Sequence, residues 1–511
     1  MKKFRSFIVL LIGLFLFNGC DPGTSPNNSD EITASEERQF IWNGLNFWYF
    51  WQESVQNLAD DRKNDIPSFN QLLNQPPTER ALFDKLLYKQ EDDFSWFIDD
   101  YEEHEAAQVG TSKSFGFRFG LGQEIGSNNV FGFVQYVVED SPAGRSGLKR
   151  GDIFRGINGQ NLTVTNFPEL LNNDQYELRM ADVQRVDTEN GSGYRILNKD
   201  ETVQVAAEVF TENPIHTYHI YDIGSRRVGY LLYNSFRFNF HEQLNNVFGE
   251  FKDRGIDELV LDLRYNGGGS LLTSALLASM ISGVSAGSTF AELRYNRKRS
   301  SNNVEFPFFE DVPIFNDSGE REMDRDEVLN SLGLSRVYVL TSQRTASASE
   351  TVINGLRPYG VEVVIVGSKT VGKDEGSITV YDAPGAMYSP RNPAQRSLIN
   401  PKHPRAMQPI VFKIFNEAGE DYPDGFAPAP GPTNEDEFRH LEGGLLPLGD
   451  PDEPLFRAAL NHMSGTVAAK ELEITQTDLS GYIMDSSEFQ PFHNDVFLLP
   501  SDLDRFLPDI E

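Results

Sequence analysis

The stretch "ELVLDLRYNGGGSLLTSALLASMI", Glu258 to Ile281, holds the junction that decides the fold. A short apolar run, "ELVLDLR", reads as a strand. Three glycines follow at Gly267–Gly269, and the apolar residues from Leu271 to Ile281 then read as a helix. The same alternation extends outward in both directions. Upstream lie a strand in "VGYLLYNSF" and a helix in "HEQLNNVFGEFKDRG", closed by Gly255. Downstream come the strand "RVYVLTS", the helix "ASASETVINGLRPYG" closed by Gly360, and the strand "VEVVIVG". Continuous apolar strands separated by helices indicate an α/β layer with a mostly parallel sheet.

Three segments of this layer carry chemistry. In "LDLRYNGGG", a buried strand runs into glycines and then a helix, so backbone amides point outward where the helix dipole favours negative charge. That arrangement suits an oxyanion hole. A phosphate loop is the rival, but no Gly-Lys-Ser/Thr follows; a tight packing turn is the other alternative. The second segment, "RTASASE", places Ser347 at the foot of a helix after a strand. Ser347 and Glu350 fit a capping box, which is a sufficient structural reason for both residues. As a nucleophile, Ser347 needs a base. The third segment, "VGSKTVGKDEG", supplies Lys373 one helix and one strand further on, a connection that returns the chain beside the serine in a parallel α/β unit. A lysine serves as base only when neutral, a form that burial favours. Read alone, the segment is a solvent-exposed Gly-Lys turn. Asp262 and Arg264 read as an ion pair tying the end of the sheet. His216 and His219, three apart on a strand, point to opposite faces and make a poor chelate.

The region before the α/β layer has a different texture. From about Gln108 to Glu208, short strands alternate with glycine turns: "SFGFRFG", "VFGFVQYVV", then "EDSPAGRSGLKRGDIFRGINGQNL". The last puts a short helix between Ser141 and Leu148 and a hairpin turn at Asn158-Gly159. This pattern resembles a PDZ domain. The resemblance implies a groove that takes a peptide as an added strand, with Phe115, Gly116 and Phe117 at the loop that holds a terminal carboxylate. A generic small β domain without a ligand is the alternative. Residues 36–107 are helical and aromatic, with Trp42, Trp48 and Trp51 close together. Aromatics at helical spacing fill cores more often than they bind ligands.

At 511 residues the chain is long for one domain, and its formal charge of -31 argues against nucleic acid and against a basic membrane patch. The N-terminus, "MKKFRSFIVLLIGLFLFNGC", has a basic start and an apolar run too short to span a bilayer. It reads as an export signal, with Cys20, the only cysteine, where a bacterial lipoprotein is cleaved and lipidated. The alternative is a plain signal peptide with an incidental cysteine. The expected organisation is a signal over 1–20, a flexible tether over 21–35, and a helical region over 36–107. A PDZ-like unit over 108–208, the α/β core over 209–465 and a loosely ordered tail over 466–511 follow.

In order and in motif, the PDZ-like unit, "LDLRYNGGG", "SASASE" and "GSKTVGK" together resemble the C-terminal processing peptidases, serine endopeptidases of the S41 type. The resemblance spans roughly residues 110 to 450. It implies a crotonase-like α/β core of stacked ββα units, Ser347 as nucleophile and Lys373 as general base. It further implies that the Ala348 amide, with one near Gly267 or Gly268, holds the oxyanion. Neither cofactor nor metal is expected, and the implied partners are polypeptide substrates in the cell envelope, on the periplasmic side or at the cell surface. One departure stands out. Many members place a glutamine four positions after the lysine, where this chain has Ser377, and Asp374 and Glu375 directly follow Lys373. A membrane-tethered peptide-binding scaffold without turnover is therefore the competing expectation.

Overall fold

The aromatic run beginning at Phe40 folds into α1 (Glu36–Trp48), capped by Ser35, whose side chain accepts from the Arg38 amide. Trp42, Trp48 and Trp51 are buried in the principal hydrophobic core, and Trp48 Nε1 donates to Met387 O at 2.8 Å. This stripe is packing, not a ligand platform. The shorter helices α2 (Ile66–Asn74) and α3 (Glu79–Lys85) pack against α1, so the N-terminal region is joined to the rest of the protein by one continuous core. The structure, a computed structural model, describes residues 31–189, 191–429, 437–465, 481–489, 494–499 and 501–502. The expected signal with Cys20, residues 21–30 of the tether and residues 466–480 lie outside the described residues.

Next comes an antiparallel unit of β1 (Phe117–Gln123), β2 (Val130–Val137), β3 (Ile153–Ile157), β4 (Gln175–Thr188) and β5 (Gly191–Ala206), hydrogen-bonded in that order. The turn after β3 has positive φ at both Asn158 (50°) and Gly159 (78°), the two-residue hairpin geometry expected there. Ser141 caps the short helix Pro142–Arg145 by accepting from the Gly144 amide.

The α/β layer is built from β6 (Ile215–Ile223), β7 (Arg226–Tyr233), α4 (His241–Arg254), β8 (Glu258–Asp262), β9 (Gly269–Ser270) and α5 (Leu271–Ser282). It continues through β10 (Thr289–Tyr295), β11 (Val304–Pro307), β12 (Arg336–Thr341), α6 (Ala348–Leu356) and β13 (Glu362–Gly367). The last elements are β14 (Glu375–Ser377), β15 (Ile410–Phe415), α7 (Pro454–Ser464), β16 (Tyr482–Asp485) and β17 (Val496–Phe497). One sheet has the order β6-β7-β8-β12-β13. Its last four strands are parallel, as the apolar runs anticipate, and β6 is an antiparallel edge. Residues Leu271 to Ile281 of α5 are buried all round, which matches their uniformly apolar sequence.

A second, mixed sheet has the order β9-β17-β14-β15-β10-β11. For the described residues 482–485 and 496–499, the structure corrects the expectation of a loosely ordered tail over 466–511. Strand β16 joins β1 at the edge of the antiparallel unit, and β17 lies in the second sheet between β9 and β14. The reason is burial: Val496, Phe497, Leu498 and Leu499 all enter the principal core.

At the end of β8, the buried Arg264 guanidinium is shared by two carboxylates. Its Nε donates to Asp262 at 2.9 Å, and its two terminal nitrogens fork onto Glu453 at 2.6 and 2.9 Å. Glu453 also accepts from the Phe456 amide at the start of α7, so this pair fastens the late helix to the sheet. Burial alone would raise the Glu453 carboxyl, but the Arg264 charge and its hydrogen bonds outweigh it and hold the group at about 2, below its ordinary 4.5. A folded value below the unfolded one gives stability that is fully present above pH 4.5 and lost as the pH falls through 2. Glu453→Gln should therefore lower unfolding free energy by about 3 kcal/mol at neutral pH. In urea titrations the gap between parent and variant should close as the pH is taken from 4.5 toward 2. A gap independent of pH would contradict the charge pairing.

Candidate active site

Ser347 stands between β12 and α6 with φ 63° and ψ -118°, a left-handed conformation that strains a residue bearing a Cβ. Strain of this kind persists only where the surroundings impose it. The main imposing group is Glu350. Its Oε2 accepts from the Ser347 amide at 2.8 Å and from the Lys373 amide at 2.9 Å. Its Oε1 accepts from the Gly372 amide at 2.7 Å and from Thr370 Oγ1 at 2.6 Å. The expected capping box is present in outline: Glu350 accepts from the Ser347 amide, and the Ser347 side chain faces the Glu350 amide without completing a hydrogen bond to it. The Ser347 hydroxyl is buried and has no hydrogen-bond partner among the described residues. A buried hydroxyl left unpaired is costly, which makes this serine an exception that packing alone does not explain.

Glu350 thus ties the backbone of the candidate nucleophile to that of the candidate base. Burial pushes its carboxyl up to about 7, against the downward pull of the Thr370 hydroxyl and the Ser347, Gly372 and Lys373 amides. The sequence offers Glu350 as a helix cap and, with Ser377, as a supporting residue of the site. Its link to residues 370–373 has no local signature.

The oxyanion candidates divide. Among the described residues the Ala348 and Gly267 amides have no acceptor, whereas the Gly268 amide donates to Asn266 Oδ1 at 2.9 Å. Gly268 is therefore corrected from donor to spacer. Its φ is 127°, and a Cβ there would lie 2.2 Å from Asp495 O and 2.8 Å from Ser347 Cβ. Asn266 itself is fixed by donating to Tyr233 O at 2.8 Å.

Lys373 is buried with its Nζ 4.7 Å from the centre of the Phe94 ring. That nitrogen donates to Asn494 O at 2.6 Å and to Asp495 Oδ1 at 3.1 Å. The carboxylates adjacent in sequence do not hold it. Asp374 and Glu375 instead face Lys413 on β15, at 3.5 and 3.9 Å. Ser377 Oγ donates to Asp495 at 2.9 Å and accepts from Gln408 Nε2 at 2.9 Å. A glutamine amide therefore does reach this pocket, but from position 408 on another strand. Gln408, Asp495 and Phe94 are the site residues that sequence reasoning missed; each comes from a segment with no recognisable motif.

A cleft of roughly 460 Å³ connects Phe115, Gly116 and Phe117 with Gly267, Gly268 and Asp495, joining the expected peptide loop to the candidate site. His216 packs against Tyr136 and His219 Nε2 meets Thr217 Oγ1, so the two histidines face different surroundings.

This is the architecture of an α/β protein with a serine and a lysine at one end of a parallel sheet, and known proteins share it. Residues 227–385 match the model of peptidase family S41, and residues 36–96 match the peptidase S41 N-terminal domain. Among curated proteins it is 24% identical over 308 residues to a "Probable CtpA-like serine protease" of Staphylococcus aureus, covering 59% of this chain and 52% of the relative. It is 21% identical over 380 residues to a protein of the same description from Staphylococcus epidermidis, covering 73% and 65%. The chain spans about half the length of the first of these. The crystal structure of an S41-type chain from Bacteroides fragilis superposes with a TM-score of 0.62 at 27% identity, covering 84% of this chain and 97% of that one.

Replacing Glu350 by Ala would leave four donors facing an empty acceptor site. The variant should lose about 3 kcal/mol or more in urea unfolding. Unchanged stability would show that the carboxylate is not the tie between residues 347 and 373.

Proposed function

We propose that this chain is a serine endopeptidase of the C-terminal processing type, acting on exposed or C-terminal segments of exported proteins through a Ser347–Lys373 dyad. The observation that carries the reading is the single carboxylate oxygen of Glu350 that receives both the Ser347 and Lys373 amides. Ser347 Oγ attacks the substrate carbonyl while the neutral Lys373 amine takes its proton. The Ala348 and Gly267 amides receive the oxyanion. Lys373 then returns the proton to the leaving amine, and water hydrolyses the acyl-enzyme by the reverse roles. Lys373 must first exchange its bonds to Asn494 and Asp495 for one to Ser347. In this reading Gln408, which donates to Ser377 and Asp495, takes over the orienting role that Ser377 is too short to fill.

In the same reading the core is a crotonase-like arrangement of ββα units. The antiparallel unit is a PDZ domain whose loop at Phe115, Gly116 and Phe117 holds a substrate carboxylate. Cys20 carries the lipid of an envelope lipoprotein, on the periplasmic side or at the cell surface. One observation favours the competing reading of a silent peptide-binding scaffold: Lys373 is ion-paired in the resting structure.

Ser347→Ala should abolish cleavage of an unfolded reporter protein with the fold intact by circular dichroism. Lys373→Met should reduce kcat at least 1,000-fold, in the range expected for losing a general base. A Ser347→Ala chain that cleaves at the parent rate would end the proposal.

A further inference from the structure

The seat of β17 is a place where no ordinary tail strand needs to be. It lies between β9, which follows Gly267 and Gly268, and β14, which follows Lys373, and it is parallel to both. The Asp495 carbonyl accepts from the Gly269 amide at 2.6 Å, and Asp495 O and Ser347 Cβ pack on the same glycine, Gly268. The Asp495 carboxylate and the Asn494 carbonyl occupy the two bonds that Lys373 makes. The Asp495 backbone thus lies against Gly268, which also borders Ser347, while the Asp495 side chain engages the base.

The earlier part of the same segment occupies the second peptide-binding edge. Strand β16 adds antiparallel to β1, pairing Asp485 with Gly120 and Met484 with Leu121. It runs toward the start of β1 and hence toward Phe115–Phe117, and the Phe119 amide donates to Ser486 Oγ at 3.0 Å. Ile483 and Met484 pack on the hydrophobic core of the antiparallel unit. Asp485 is buried between Arg118 at 2.8 Å and Arg344 at 3.2 Å; the second of these stands three residues before Ser347. Strand addition to a free edge is how such a domain takes an extended peptide.

We infer that residues 482–489 and 494–499 are an intramolecular occupant of the substrate path: the β1 edge and the gap between β9 and β14 are two seats for one extended polypeptide, and the resting protein is latent until its own segment leaves them. The inference rests on the peptidase reading. It adds to that reading the binding site for the substrate strand near the scissile bond, and a reason for the unpartnered Ser347 hydroxyl. An incoming polypeptide competes as a strand on both edges, and release of Asp495 frees the lysine amine.

The test separates access to residue 347 from hydrolysis. Cys20 is the only cysteine, so a full chain carrying Cys20→Ser and Ser347→Cys has one thiol, at the candidate nucleophile. Adding Asp495→Ala should speed its alkylation by iodoacetamide at least 10-fold. Met484→Asp, remote from the thiol on the β1 edge, should speed it in the same direction. A synthetic peptide of residues 481–499 should slow the accelerated reaction again. In chains retaining Ser347, Asp495→Ala should raise kcat/KM on an unfolded reporter at least 10-fold. Unchanged alkylation in both variants would overturn the inference, as would a fall in kcat/KM for Asp495→Ala, which would make Asp495 a positioning residue for Lys373. Should no variant cleave any reporter, the peptidase reading fails, and the alkylation rates still decide whether the segment covers residue 347.

Discussion

Glu350 Oε2 accepts two backbone amides, one from the turn that carries Ser347 and one from the loop that carries Lys373. Everything distinctive about the site depends on that shared acceptor. It holds the serine in a strained backbone conformation and brings two loops at adjacent strand ends into one unit, in which the serine hydroxyl has no hydrogen-bond partner among the described residues. A carboxylate buried this deeply is unfavourable by itself, and four donors offset part of that cost. The cost is spent where position matters, on the relative placement of a hydroxyl and an amine.

The second constraint is the sheet that closes over the site. Two of its strands, β9 and β17, are two residues long and belong to it only because neighbouring segments present free backbone groups there. Four consecutive apolar residues, Val496 to Leu499, anchor the late segment in the core. The same segment delivers a carboxylate to Lys373. Stability and latency are thereby coupled: opening the path to Ser347 also exposes apolar surface, which an incoming extended polypeptide with similar side chains would cover again.

Much of the frame was legible in the sequence because its strands are continuous apolar runs. "ELVLD", "RVYVLT" and "EVVIVG" appear as β8, β12 and β13, parallel and adjacent. The late strand at Ile410–Phe415 and the late helix at Pro454–Ser464 were readable for the same reason. The glycine run was legible as a junction but not as three separate roles: Gly267 leaves an amide open, Gly268 makes room, and Gly269 binds Asp495. Segments whose role is purely tertiary gave no signal. Gln408 and Asp495 reach Ser377 from segments distant in sequence, and no periodicity marks the two-residue strand that follows Asp495. The acidic neighbours of Lys373 illustrate the limit well. Adjacency in sequence suggested that they would engage the amine, but Asp374 and Glu375 turn to Lys413, and the carboxylate that reaches Lys373 comes from position 495.

The most direct measurement of the account is mass mapping of a fluorophosphonate adduct on the full chain, with and without Asp495→Ala, and in each case with and without Lys373→Met. A serine activated by a tethered lysine should yield one adduct, on Ser347, that disappears with Lys373→Met. An adduct on another residue, or one on Ser347 that forms equally fast without the lysine, would contradict the claim that residues 347 and 373 form one catalytic unit.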